Sequence, residues 1–214
     1  MYTIMVVDDS SFIVDVFVTM LERGGYRTIA TYGGQECLDI LKTEKPDLIL
    51  LDIMMEPMDG RETLERIKTN PKTRDIPVIM LTAKQLTPDE AQEYGIYIED
   101  YVLKPITHRE LYDVIEHILE RRTRIRLDVE TAKAAGFDQR VIDEYARLSK
   151  SIEVNNRLVN ILEFTYNISD SKARVGDEIA RAIKNMTMNI SFQEERLGQI
   201  RDELQLTPDP ARQS

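Results

Sequence analysis

The stretch Asp47-Leu-Ile-Leu-Leu-Asp52, running on through Ile53-Met-Met-Glu-Pro-Met-Asp-Gly60, decides the fold. Four consecutive aliphatic residues read as a strand buried on both faces, the signature of a parallel sheet. Such a strand carries its terminal carboxylate to the carboxyl edge of the sheet, where open α/β folds place their chemistry. Three further apolar runs also end in polar side chains. Tyr2–Val7 leads into Asp8, Asp9 and Ser10, the last suited to cap the next helix. Pro77–Leu81 reaches Thr82, and the run from Asp100 reaches Lys104 with Pro105 behind it. If the four lie parallel, their terminal side chains converge on one edge.

Taken singly, Asp8 is a helix cap, Thr82 an N-cap and Lys104 a surface lysine. Together they describe a divalent-cation site beside a carboxylate able to take a phosphoryl group. Crowded carboxylates repel and raise one another's pKa. A hard cation such as Mg²⁺ relieves that repulsion through one or two carboxylates, keeping waters and room for a phosphate oxygen. An aspartate can act as nucleophile toward phosphorus. The remaining work is positioning and charge, to which a lysine contributes an ammonium and a threonine a hydroxyl donor.

Asp8-Asp9, Asp52 with Met58-Asp59-Gly60 after it, Thr82-Ala83 and Lys104-Pro105 resemble the receiver domain of two-component response regulators, over about residues 1–122. The resemblance implies an α/β fold, a doubly wound five-stranded parallel sheet of flavodoxin-like order 2-1-3-4-5. It makes Asp52 the phosphoacceptor, with Thr82 and Lys104 as its catalytic partners. It makes Asp8, Asp9, Asp52 and the Met54 carbonyl the Mg²⁺ ligands, and Thr82 and Tyr101 the switch pair. It implies a cis bond before Pro105, which would aim Lys104, and a sensor histidine kinase as partner. Met54 and Lys84 flank the site as candidates to tune hydrolysis. Two departures stand out: Glu56 precedes Pro57 where the family places Met-Pro, and Gly95–Tyr101 is longer than usual. That longer segment either packs on itself or offers Tyr97 and Ile98 to a partner.

Beyond the fifth helix, which starts near Thr107, the chain changes character. Arg121-Arg-Thr-Arg-Ile-Arg126 reads as a solvated helix end or linker, and residues 128–135 as a short helix ended by Gly136. From Asp138, Val141, Tyr145, Leu148, Ile152, Asn155, Val159, Leu162 and Tyr166 recur by four and three, an a/d heptad pattern with Asn155 as its polar member. Leu158, Ile161, Phe164 and Ile168 widen the apolar face, Asn167–Asp170 reads as a turn, and Val175, Ile179, Ile183, Met186, Ile190, Leu197, Ile200 and Leu204 form a second stripe. The expected organisation is a receiver over 1–122, a linker with a short helix over 123–137, an antiparallel helical hairpin over 138–206, and a disordered tail over 207–214. So broad an apolar face predicts a homodimer through the C-terminal helices, by pairing two hairpins into a four-helix bundle.

Charge and composition narrow the rest. Residues 1–123 carry 14 basic and 23 acidic side chains, a net of −9; residues 124–214 carry 14 and 15, a net of −1. A near-neutral tail disfavours nucleic-acid binding, which leans on clustered Lys and Arg. The single cysteine, Cys37, excludes an internal disulfide and reads as a small buried hydrophobe. No apolar run approaches the ~20 residues that cross a bilayer, and no secretory leader precedes the first strand, so the expectation is a cytoplasmic protein without a membrane partner. His108 and His117 both fall in the fifth helix, so the hairpin carries no histidine to phosphorylate. The reading is a phosphorylation-dependent signalling switch rather than an enzyme, with no chemistry beyond its own phosphorylation and dephosphorylation. A DNA-binding transcriptional regulator with a divergent output domain and an aspartate-based phosphatase are the rivals.

Overall fold

The computed structural model describes residues 1–166 and 177–206. It divides into two compact units, Met1–Val114 and Ile115–Ser214. The first alternates strand and helix: β1 Thr3–Val7, α1 Ser11–Arg23, β2 Arg27–Thr31, α2 Gly34–Ile40, β3 Leu48–Leu51, α3 Gly60–Thr69, β4 Val78–Thr82, α4 Pro88–Tyr94 and β5 Asp100–Leu103. The strands form one sheet in the order β2-β1-β3-β4-β5, and every neighbouring pair is parallel. This is the doubly wound order implied by the resemblance.

All four residues of β3 are buried, as expected of a central strand covered by helices on both faces. Each such aliphatic side chain contributes roughly 1.5–3 kcal/mol when fully withdrawn from water. Cys37 packs among them with its Sγ 3.6 Å from the Met5 Sδ, and burial pushes its thiol up to about 12.

Register carries the polar residues to one edge. Val7 lies opposite Leu51 and Thr82 opposite Leu103. Asp8 therefore neighbours Asp52, and Lys104 follows directly beside Thr82. The bonds Asp52 N–H to Val7 O (2.9 Å) and Lys104 N–H to Thr82 O (2.8 Å) continue the ladder past the strand ends.

Three local expectations change. The Ser10 side chain makes no cap bond; the Asp8 Oδ1 accepts the Ser10 N–H instead, at 2.9 Å. Ile98 is buried, while Ile96 and Tyr97 remain exposed. The turn after α4 closes with the Tyr97 and Ile98 N–H groups both donating to the Tyr94 carbonyl, which tucks Ile98 inward. Both the Glu56-Pro57 and Lys104-Pro105 bonds are cis; the sequence reading anticipates only the second.

The fifth helix differs most. α5 runs unbroken over His108–Ala134, where the sequence suggests a helix end and a separate short helix. No Gly or Pro interrupts that span, and its Arg, Leu, Glu and Ala residues favour helix. It stops at Gly136, whose φ of 81° permits the left-handed turn. There Phe137 N–H reaches Ala132 O and Gly136 N–H reaches Lys133 O, the Schellman ending.

The second unit adds α6 Gln139–Thr165 and α7 Asp177–Glu203. Asp138 caps α6 as expected, accepting from the Arg140 N–H at 2.7 Å. Glu144 pairs with Arg196 and Ser151 meets Gln193, so the two helices run antiparallel. Ile142, Tyr145, Leu148, Ile152, Leu158 and Leu162 are buried on α6; Ile183, Met186, Ile190, Leu197 and Ile200 are buried on α7. Phe164, expected on the apolar flank, is exposed. Asn155 is half-buried and donates to the Ser151 hydroxyl at 3.1 Å, which itself donates to Gln193 at 3.3 Å. The polar heptad member thus has an intramolecular partner layer. The far half of α5 joins this unit: Tyr145 OH donates to the Asp128 carboxylate, and Arg121 and Arg124 reach Glu153. Arg121 is buried, so Arg121 and Arg124 fasten α5 to α6 rather than sitting in a solvated linker, while Arg126 is exposed as expected of a solvated helix. The expected turn at 167–170, Ile168, Val175 and the 207–214 tail lie outside the described residues. No described helix is long and apolar enough to cross a membrane.

Candidate functional site

The carboxyl edge of the sheet gathers the acidic and basic residues that the strand ends promised. Asp8 and Asp52 are both buried. The Lys104 ammonium lies 2.5 Å from the Asp8 Oδ2 and 3.2 Å from the Asp52 Oδ1. The remaining Asp52 oxygen, Oδ2, accepts the Met54 N–H at 3.1 Å. Asp9 is exposed and accepts the Glu56 N–H at 3.1 Å, which ties the β1–α1 and β3–α3 connections together.

One cation serves two buried acids, and the electrostatics show the shortfall. Burial raises the Asp52 carboxyl above the ordinary range; Lys104 pulls it down without cancelling that effect, and Asp8 adds to the rise.

Gly60 is needed where it is. A Cβ there would meet the Asp52 carbonyl oxygen at 2.0 Å, so α3 can start directly against the Asp52 backbone only without a side chain. Asp59 caps the same helix, accepting from the Glu62 N–H at 2.9 Å.

Thr82 is buried, with its Oγ1 accepting the Lys84 N–H at 3.2 Å. Tyr101 is also buried, and its hydroxyl donates to the Lys84 carbonyl at 2.8 Å. Burial raises the Tyr101 phenol. Asp8, Asp52 and Lys104 are thus in direct contact. Met54 joins them through its N–H to Asp52, Asp9 bonds to the Glu56 N–H instead, and Thr82 and Tyr101 meet at Lys84. Two further residues escape the sequence reading. Arg61 on α3 and Lys84 both pair with Glu90 on α4, Lys84 at 2.7 Å. The Thr87-x-x-Glu90 capping box is a legible signal for Glu90. The reach of Arg61 across 29 residues of sequence is not.

The donor set of Asp8, Asp9, Asp52 and a loop carbonyl suits Mg²⁺, since every candidate ligand is a hard oxygen. Among the described residues no group of three or more His, Cys, Asp or Glu converges at metal-holding distance; the Lys104 ammonium stands between the two buried carboxylates and supplies their counter-charge.

A family model described as response regulator receiver domain matches residues 4–116. The chain belongs to the response regulator receiver family. A second model, described as Metanogen output domain 2, matches residues 121–208, so an output-like helical region follows the receiver. The probable transcriptional regulator ycf27 of Cyanidium caldarium is 32% identical over 77% of this chain and 65% of its own length; this chain therefore spans just under two thirds of that relative. The N-terminal domain of a response regulator receiver protein from Methanoculleus marisnigri is 73% identical, covering 56% of this chain and 97% of its own, with a TM-score of 0.48. A CheY-like receiver domain protein from Methanospirillum hungatei is 27% identical, covering 58% of this chain and 98% of its own, with a TM-score of 0.53. The receiver unit shares that neighbour's overall fold.

Proposed function

We propose that this chain is a two-component switch in which Asp52 takes a phosphoryl group from a sensor histidine kinase and the helices beyond residue 122 carry the signal onward. The observation that carries the reading is the Lys104 ammonium held between the buried Asp8 and Asp52 carboxylates, with Thr82 ending the adjacent strand. A carboxylate oxygen of Asp52 attacks phosphorus, the bond from phosphorus to the donor histidine nitrogen breaks, and the imidazole leaves with the electron pair. Lys104 offers its charge to one phosphoryl oxygen and Thr82 its hydroxyl to another. Asp8, Asp9, Asp52 and the Met54 carbonyl would hold Mg²⁺, which supplies charge neutralisation at the phosphoryl oxygens. Water later attacks the phosphorus, the bond to the Asp52 oxygen breaks, and the carboxylate is restored. Tyr101 follows Thr82 through their shared contact, Lys84. This is signalling chemistry, one slow event per chain.

The C-terminal helices are assigned as a homodimerisation and output module, a reading supported by the exposed Met188 and Phe192, one turn apart on α7. A second reading, transcriptional regulation, is favoured by the relative ycf27, a probable transcriptional regulator. A gel shift with genomic fragments separates the two, because specific DNA binding would weaken steeply with salt.

The decisive test is the intact mass of the protein after incubation with acetyl phosphate and Mg²⁺. Wild type gains one phosphoryl group and Asp52→Asn gains none. An unaltered wild-type mass overturns the proposal.

A further inference from the structure

The connection between β3 and α3 is pinned from within. Ile53, Met55 and Met58 are buried, while Met54 and Glu56 stay exposed. The Met55 N–H donates to the Ile53 carbonyl at 3.1 Å and the Gly60 N–H to the same oxygen at 2.9 Å, which closes the segment on itself. Its two outward residues each give their N–H to a carboxylate: Met54 to the Asp52 Oδ2 and Glu56 to the Asp9 Oδ2, both at 3.1 Å. One anchored segment therefore grips an acid at each of two neighbouring strand ends. Asp52 is buried and has Lys104 as a second partner. Asp9 is exposed, and among the described residues its carboxylate accepts from the Glu56 N–H alone. An exposed carboxylate held by nothing samples several rotamers; this bond selects one. With Met-Pro in the family's usual place, residue 56 would be a proline and have no N–H to give; here Pro57 stands one residue later.

We propose that Glu56 is a positioning residue for the cation site, its backbone N–H holding the Asp9 carboxylate in the rotamer that meets Mg²⁺. The inference rests on the reading of Asp9 as a Mg²⁺ ligand. Outer hydrogen bonds strengthen metal binding because they fix the ligand before the ion arrives. The bond occupies one lone pair of the Asp9 Oδ2 and leaves the carboxylate's other lone pairs for the ion. The donor is the peptide, so the Glu56 side chain takes no part.

The test is calorimetric titration of the full chain with Mg²⁺. Glu56→Gln keeps the N–H and removes the charge, so it measures the effect of the carboxylate alone. Glu56→Pro removes the N–H as well. It is expected to bind Mg²⁺ about tenfold more weakly than Glu56→Gln, the lower end for a lost outer partner because Asp9 is exposed. In an Asp9→Ala background the two substitutions give equal affinities, because the donor acts through that carboxylate. Hydrogen exchange carries the test if Glu56→Pro fails to fold: in the wild-type chain the Glu56 amide stays protected when Mg²⁺ is saturating, and in Asp9→Ala it loses protection. Equal Mg²⁺ affinity in Glu56→Pro and Glu56→Gln overturns the proposal, and so does a gap that persists in Asp9→Ala. A Glu56 amide that Mg²⁺ opens to exchange also overturns it, since the donor would then compete with the ion. A wild-type chain that takes up no Mg²⁺ overturns the reading of Asp9 as a ligand, and the proposal falls with it.

Discussion

Two ion clusters divide this protein's electrostatics, and they are balanced in opposite ways. At the receiver edge, one ammonium serves two buried carboxylates, and burial leaves the Asp52 carboxyl raised. In the helical unit, Glu153 faces Arg121, Arg124 and His117. Burial pushes its carboxyl up as well, but the His117 hydrogen bond and the two arginines more than offset it, and Glu153 is held low. The first cluster is short of positive charge, the condition expected of the proposed phosphoryl-accepting site. The second has more positive groups than its carboxylate needs for charge balance, the condition of a fastening.

The contrast breaks most visibly at Glu153. Replacing it with Gln leaves the buried Arg121 facing a neutral side chain and is expected to cost on the order of 3 kcal/mol, read as a lowered melting temperature of the helical unit. Next in size is Gly60→Ala. The added methyl collides with the Asp52 backbone and is expected to cost about 1–3 kcal/mol as overpacking, while slowing phosphorylation by acetyl phosphate. The pH dependence sharpens the comparison. Asp52 titrates higher when folded than when unfolded, so its contribution to stability is full in acid and is lost as pH rises through the folded value. Asp52→Asn cannot ionise and is expected to stabilise the receiver at neutral pH, with the gain vanishing in acid, as denaturant midpoints at a series of pH values will show. Glu153 has the opposite sign: its contribution is present at neutral pH and is lost as pH falls, so the Glu153→Gln deficit shrinks on acidification. Smallest is Asn155→Ala, which removes one half-buried hydrogen bond to Ser151 at about 1 kcal/mol, measurable by chemical denaturation.

What the residues disclose on their own follows the same division. The carboxyl edge is legible because strands write their pattern locally: Leu48–Leu51 is an unbroken aliphatic run, and the parallel register then brings Asp8, Asp52, Thr82 and Lys104 together without further information. The capping roles of Asp59, Thr87 and Asp138 are equally local. Arg121 is not legible, because an arginine in a basic run looks solvated until Glu153, far along the chain, is known to lie against it. The same holds for Arg61 and Glu90. Ile98 misleads for a related reason: a longer loop carries no sign of the turn that folds it inward.

Cys37 has a practical consequence. With its thiol pushed up to about 12 and its side chain buried, almost none of it is thiolate at neutral pH. Maleimide reagents will pass it by. A cysteine introduced at exposed Phe164 or Phe192 can therefore be labelled alone in the otherwise native chain, giving spin or fluorescence probes on α6 and α7 a silent background.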